Sequence, residues 1–329
     1  MKTLGVFLPV CNEEENLDEL FYELDGLKKQ LLKKRVQLIL LVHDNYSTDN
    51  SWNIIKKHIC RFPESTAIKL SVNIGYQPSL TMSFSHTHTD AYVIYQSDRQ
   101  DPIEIIIQMC ESWLQGSNCV VAVATDRAGK ITERFGRLVF INLFRSSSDI
   151  KNFNWFTDYY LLDKSLYTQF VGLPLLNQFI RGRIMDSFPI QTTIGYSRSE
   201  RKKGKSKFNF AKKYSLALDA ILLHASRFIR FLTLFGSLAS CSLIAALTFT
   251  TITRLLTTSS NSLFFTLKSA FVPLLMSLIL LLISLILEYL RRIYSMTLST
   301  RDITNSQYSG LIAEVLTVNK KNVGVVLKP

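Results

Sequence analysis

Two uninterrupted apolar runs constrain this chain more than any other feature. Phe231 to Thr253 is 23 residues without a charge, and Ser269 to Leu287 is a further 19. A helix rises about 1.5 Å per residue, so each run matches a hydrocarbon core about 30 Å thick. Buried core helices are the alternative, yet soluble helices seldom stay uncharged on every face for so long. The sequence predicts two transmembrane helices, over about 231–253 and 269–287, inside a membrane region 230–292.

The flanks of these runs carry a direction. Arg227 and Arg230 precede the first, Arg291 and Arg292 follow the second, and the connector holds only Arg254 and Lys268. The positive-inside bias then places both chain ends in the cytoplasm. The opening MKTLGVFLPVCNEEEN reaches acidic residues before an apolar h-region develops. No signal peptide is read there, and the N-terminal part is expected to stay where it is made, at the inner face of a cytoplasmic membrane. The five cysteines show no paired spacing, and in a reducing compartment they read as packing residues.

The net charge of +12 points to an anionic partner. The basic stretch RSERKKGKSKF, Arg198 to Phe208, lies shortly before the first apolar run. Juxtamembrane Lys and Arg are drawn to anionic lipid at about 1 kcal/mol each, so a bilayer is favoured over nucleic acid, with a solvated basic loop as the other reading.

Upstream, short apolar runs alternate with helical patterns. Strands are expected at 3–10, 36–42, 67–70, 91–95 and 119–124, and helices at 14–33, 51–60, 78–86 and 103–114. Such alternation predicts an α/β domain, 1–210, with a mainly parallel sheet covered on both faces. An amphipathic helix at 211–229 is expected on the bilayer surface, with Tyr214, Leu218, Ile221, Leu222 and Ala225 at helical spacing. Residues 293–329 read as a cytoplasmic tail whose alternating LIAEVLTV and NVGVVL suggest a small hairpin.

Ligands of open α/β sheets sit beyond the carboxyl ends of the strands. Asn12 and Glu13, Asp44 and Asn45, Asn73 and Gln77, and Asp98 and Gln100 each fall just past a predicted strand. Four polar loops are therefore expected on one rim. Taken singly, any one of these residues is also ordinary turn chemistry.

The ordered set LPVCNEEENL, HDNYSTDNSW, NIGYQPSL, SDRQDPIE, TDRAGK, TDYYLLDK, FIRGR and RKKGKSKF resembles the family 2 glycosyltransferases, in the polyprenyl-phosphate sugar transferase branch. That branch includes dolichol-phosphate mannosyltransferases and bacterial undecaprenyl-phosphate glucosyltransferases. The resemblance spans roughly residues 4 to 295, including both apolar runs. It implies a GT-A (Rossmann-like) catalytic domain, a nucleotide-sugar donor, Mg²⁺ or Mn²⁺, and a polyprenyl phosphate acceptor. It also implies a homo-oligomer and, because two helices are too few for a translocation pore, a separate flippase.

Carried over residue by residue, the resemblance places Pro9, Asn12, Glu13, Asp44, Asn73 and Gln77 at the nucleotide sugar. Asn45 and Tyr46 depart from the family's Asp-Asp-Gly-Ser sequence, and base selectivity stays open. The family's metal loop reads DADLQDPPE; here Gln96 stands at the first aspartate while Asp98, Gln100, Asp101 and Pro102 match. The resemblance then implies Asp98, with Gln96 and Gln100 as neutral oxygen donors, on a cation bound to the donor diphosphate. Loss of one carboxylate also leaves open a catalytically silent nucleotide-binding scaffold. Asp158 matches an aspartate near the sugar or acceptor, read here as orienting a sugar hydroxyl. Arg127, Arg134, Arg201 and Lys207 are the candidates for phosphate contacts, Arg134 being equally placed for a solvated helix face. The expected reaction is inverting transfer of one sugar, UDP-glucose-like, to polyprenyl phosphate for surface glycan modification, with extension of a glycan as the alternative.

Overall fold

The computed structural model describes residues 1–126, 142, 158–173, 180–188, 190, 192–198, 226–257, 273, 275–287, 289–290, 293, 310–319 and 323–326. The predicted interface helix lies outside these up to residue 225.

The first strand, β1 (Lys2–Val10), sets the sheet. Leu4, Val6, Leu8 and Val10 face one apolar core and Phe7 faces the other, the two-residue period of a strand buried on both sides. Gly5 is required by packing: a Cβ there would stand 2.6 Å from Thr89 Oγ1. Helix α1 (Glu14–Lys33) buries Leu17, Leu20, Leu24, Leu27 and Leu31 at three- and four-residue spacing. Glu14 and Glu15 open it and Lys33 closes it, each opposite in sign to the nearby dipole end.

The remaining elements of this unit follow as β2 (Val36–Asp44), α2 (Ser51–Ile59), β3 (Thr66–Leu70), α3 (Tyr76–Ser85), β4 (Ala91–Ile94), α4 (Ile105–Leu114) and β5 (Cys119–Asp126). Then come β6 (Tyr160–Asp163), α5 (Lys164–Tyr167), α6 (Ile180–Ser187) and β7 (Thr192–Ser197). Elements β1 to β5 and α1 to α4 agree with the sequence expectation to within about two residues at most ends, the latitude of any boundary assignment. Side chains of α1, α2 and α4 join the first core, and those of α3, α5 and α6 join the second.

The sheet order is β7-β5-β6-β4-β1-β2-β3-β8-β9. Strands β1 to β4 run parallel, with Val10 opposite Asp44 and Phe7 opposite Ile94. Strand β6 is antiparallel to both β4 and β5, and β7 is parallel to β5. The reversal of β6 places its amino end, and Asp158 just before it, at the same rim as the carboxyl ends of β1 to β4.

Residues expected as a free tail belong to this sheet. Strands β8 (Ile312–Val318) and β9 (Val323–Val326) form an antiparallel hairpin, and β8 pairs antiparallel with β3. Glu64 N donates to Val318 O at 2.7 Å and Ser71 N to Leu311 O at 2.9 Å, closing both ends of the pairing. Trp52 Nε1 donates to Glu314 Oε2 at 2.8 Å. Leu316 and Val318 enter the first core. The hairpin thus covers β3, which would otherwise end the sheet with an unpaired ladder.

The second compact unit holds the apolar helices α7 (Ser226–Thr257) and α8 (Leu275–Leu287). Helix α7 contains Thr233–Thr250, long and apolar enough to cross a membrane. It exposes Phe231, Leu234, Phe235, Leu238 and Phe249. Small residues meet α8: Ser240 Oγ donates to Ser277 O at 2.9 Å, and a Cβ on Gly236 would collide with Ser284 Oγ. Among the described residues α8 is 13 residues long, short of the roughly 20 a span needs. One candidate span is therefore established where the sequence predicted two.

Leu316→Ala tests the place of the C-terminal hairpin. The side chain is 3% exposed, so its truncation is expected to destabilise the sheet unit by about 2–5 kcal/mol, read as a lower midpoint in urea unfolding.

Candidate active site

The four polar loops meet at one rim and are stitched to each other. Asn12 N donates to Ser47 Oγ at 2.8 Å, Thr48 N to Asn12 Oδ1 at 2.7 Å, and Glu13 N to Ser51 Oγ at 2.9 Å. These bonds join the loops after β1 and β2. Asn45 N donates to Val10 O at 2.8 Å, while its own Oδ1 accepts from Ile74 N at 3.0 Å, which brings in the loop after β3. Asn73 Nδ2 reaches Cys11 Sγ at 3.8 Å. The loop after β4 joins through Ser97 Oγ, which donates to Pro9 O at 2.9 Å.

Asn12 and Tyr46 have positive φ, of 51° and 63°. The left-handed region suits Asn far better than an aromatic residue, and Tyr46 N donates to Asp44 O at 2.9 Å in this turn. Gly75, with φ of 86°, precedes α3 and supplies the same freedom without a Cβ.

Several residues expected at the nucleotide have their oxygens engaged in this scaffold. Glu13 Oε2 accepts from Asn16 Nδ2 at 2.7 Å, Asn73 Oδ1 from Gly75 N at 2.9 Å, and Gln77 Oε1 from Ile180 N at 3.3 Å. Pro9 contributes its carbonyl. Asp44 differs. Its Oδ1 accepts from Ser47 N at 3.0 Å, but Oδ2 is buried without a partner. Burial pushes its carboxyl above the usual range, with the Ser47 bonds opposing.

Gln96, Asp98 and Gln100 are half-exposed, while Ser97 and Arg99 between them are buried. All three side chains carry oxygen and stay partly accessible on one loop, where Asp98 Oδ1 accepts from Gln100 N at 3.3 Å. Among the described residues no group of three or more His, Cys, Asp or Glu gathers. A hard cation already bound to diphosphate and water needs only one or two protein carboxylates. The Gln–Asp–Gln set fits that need and would not suit a softer metal.

Asp158 is buried at the same rim, and the next side chain, Tyr159, donates from its hydroxyl to Pro102 O at 2.9 Å. Arg127, Arg134, Arg201 and Lys207 lie outside the described residues. Sequence reasoning missed Ser97, Arg99, Tyr196 and Arg198, which build or touch the Asp98 loop; QSDRQD is polar throughout and carries no local pattern that marks which of its side chains are buried. It also passed over His43, which is fully buried with Nε2 unpartnered, edge-on to Phe7 at 5.0 Å and to His86 at 5.9 Å.

The Glycosyl transferase family 2 model matches residues 5–172. The uncharacterized glycosyltransferase YkcC of Bacillus subtilis is 30% identical over 237 residues, covering 72% of each chain. The bactoprenol glucosyl transferase of Shigella phage SfX is 30% identical over 221 residues, 66% of this chain and 71% of that one. Among solved structures, glucosyl-3-phosphoglycerate synthase from Mycobacterium tuberculosis with UDP aligns at a TM-score of 0.45 and 19% identity, over 67% of this chain and 79% of the other, a likeness too slight to identify a fold. The chain belongs to glycosyl transferase family 2.

Burial, and secondarily His86, lowers the His43 pKa to about 3 from 6.5. The folded state therefore holds this imidazole neutral, and the associated stability is complete above pH 6.5 and lost as pH falls toward 3. At pH 5 the loss from this group is about 2 kcal/mol. His86, also lowered by burial, adds in the same direction. His43→Gln is expected to flatten the decline in melting temperature between pH 7.5 and pH 5 without abolishing it. Asp44 has the opposite sign, because its raised carboxyl destabilises the ionised fold. Asp44→Asn is expected to raise the melting temperature at pH 7.5, read by thermal unfolding beside the wild type.

Proposed function

We propose that the chain is a membrane-bound inverting glycosyltransferase that moves one sugar from a nucleotide-sugar donor, UDP-glucose-like, onto a polyprenyl phosphate at the cytoplasmic membrane face. The observation that carries this reading is the half-exposed Gln96–Asp98–Gln100 face beside the buried, half-partnered Asp44 carboxylate on one rim. Family membership supports the reaction class, and the relatives named bactoprenol glucosyl transferase support a lipid-phosphate acceptor. The apolar surface of α7 supports a membrane location.

A phosphate monoester has a second pKa of about 6, so the acceptor is largely dianionic at neutral pH and already nucleophilic. An acceptor oxygen forms a bond to the anomeric carbon as the carbon–oxygen bond to the diphosphate breaks, and the nucleoside diphosphate leaves with the electron pair. Little general base is needed; alignment and charge stabilisation dominate. Asp98, Gln96 and Gln100 would hold Mg²⁺ or Mn²⁺, which supplies positive charge for the departing diphosphate. Asp44 is suited to accept from an N–H or O–H of the nucleoside, and Asp158 to orient a sugar hydroxyl. Arg127, Arg134, Arg201 and Lys207 are assigned to the phosphates, where Arg can bind in a bidentate fashion. The second span, cytoplasmic chain ends, a separate flippase and a homo-oligomer complete the proposal.

Replacement of the family's second aspartate by Asn45 does not favour a silent scaffold. Its amide oxygen has a structural task, the bond from Ile74 N.

Membranes containing the chain, given labelled UDP-glucose and undecaprenyl phosphate, are expected to form a sugar lipid. Asp98→Asn is expected to lower kcat by about 10²–10³, and chelation to stop turnover. No sugar lipid from UDP-glucose, GDP-mannose or UDP-N-acetylglucosamine would remove the proposal, and transfer to a glycan without lipid phosphate would replace it.

A further inference from the structure

The loop from Gln96 to Asp101 alternates strictly. Gln96, Asp98 and Gln100 are half-exposed; Ser97, Arg99 and Asp101 are buried. Each buried residue is tied to a different element. Ser97 Oγ donates to the Pro9 carbonyl of β1 at 2.9 Å. Arg99 reaches back to α1, donating from Nε to Glu23 Oε2 at 3.2 Å and from its two terminal nitrogens to Glu23 and Glu19. Asp101 Oδ1 accepts from the Tyr196 hydroxyl of β7, and Arg198 Nε lies 3.1 Å from the same oxygen as an ion pair without hydrogen-bond alignment.

The backbone is pinned as well. Tyr95 donates from its hydroxyl to Asp101 O at 2.8 Å and Tyr159 to Pro102 O at 2.9 Å. Arg99 has φ of 55°, in the left-handed region that a non-glycine residue uncommonly adopts.

We propose that Ser97, Arg99 and Asp101 are positioning residues, a three-point mount that fixes the oxygens of Gln96, Asp98 and Gln100 for a divalent cation shared with the donor diphosphate. This rests on the metal-dependent donor reading above. The physical reason is the donor set itself. With one carboxylate and two amides, the loop has little charge with which to gather a cation, so affinity must come from donors already in place. Arg99 puts a cation inside the metal loop, yet its charge is directed away into α1, where two glutamates balance it.

The test uses purified full-length protein in detergent, with UDP binding followed by calorimetry across a Mn²⁺ series and in EDTA. Wild type is expected to show a defined half-saturating Mn²⁺ concentration, and Asp98→Ala to lose the metal dependence. Arg99→Leu is expected to raise the half-saturating Mn²⁺ by about 10–100-fold, with UDP affinity in EDTA unchanged. Glu19→Gln/Glu23→Gln removes the anchor from outside the loop, at side chains 56% and 33% exposed, and is expected to shift the metal requirement the same way while the protein still melts cooperatively. If Arg99→Leu fails to fold, the α1 pair decides. Folded anchor variants with a wild-type Mn²⁺ requirement overturn the mount and leave the function intact. Metal-independent UDP binding by wild type overturns the metal reading and the mount together.

Discussion

Where parallel strands stop side by side, their backbone groups lose ladder partners together, and the rim must satisfy them some other way. In this chain the satisfaction is reciprocal between loops. Asn12 and Ser47 join the turns after β1 and β2, Asn45 reaches the backbone after β3, and Ser97 returns the turn after β4 to β1. This constraint decides which polar residues remain for chemistry. Asn12, Glu13, Asn73 and Gln77 each have a side-chain oxygen engaged within the protein. Asp44 Oδ2 is a buried oxygen that this stitching does not use, and Asp98 Oδ1 accepts from Gln100 N at 3.3 Å within its own loop.

Burying Asp44 at this place is costly, since an ionised carboxylate loses water and recovers only the Ser47 contact on one oxygen. His43, next along β2 on the opposite face, is held neutral by the same burial. A fold optimised for stability alone would place apolar groups at both positions. Retaining an acid with an unsatisfied oxygen is the kind of local conflict that marks a binding site, because a ligand donor can relieve it and gain the free energy the empty fold gives up.

Much of this architecture was legible in the residues. The alternation of apolar runs and amphipathic stretches located β1 to β5 and α1 to α4, because both periods are local and strong over those lengths. Polar residues just past each strand located the rim, since β1 to β4 all run one way. The C-terminal strands were legible as a hairpin but not as part of the sheet: β8 pairs with β3 across more than two hundred residues, and nothing local in LIAEVLTV names its partner. Arg99 was passed over for the same reason, as its partners sit in α1 and its place in the motif looked like a variable side chain.

The reversed strands explain how distant chain segments share one site. Crossovers between parallel strands deliver only carboxyl ends and the loops that leave them. Because β6 runs the other way, its amino end brings Asp158 and Tyr159 to that same edge, and Tyr159 then braces the loop that carries Asp98. Strand β7 contributes Tyr196 and Arg198 from its carboxyl end, on the far side of the loop from α1. The accessible oxygens of a single short loop are thus located by contacts from β1, α1, β6 and β7 at once. On the proposed function, with Gln96 in place of a carboxylate, that rigidity does what charge does in a site with two aspartates, and such a loop is expected to bind a bare cation weakly and the cation–diphosphate pair well.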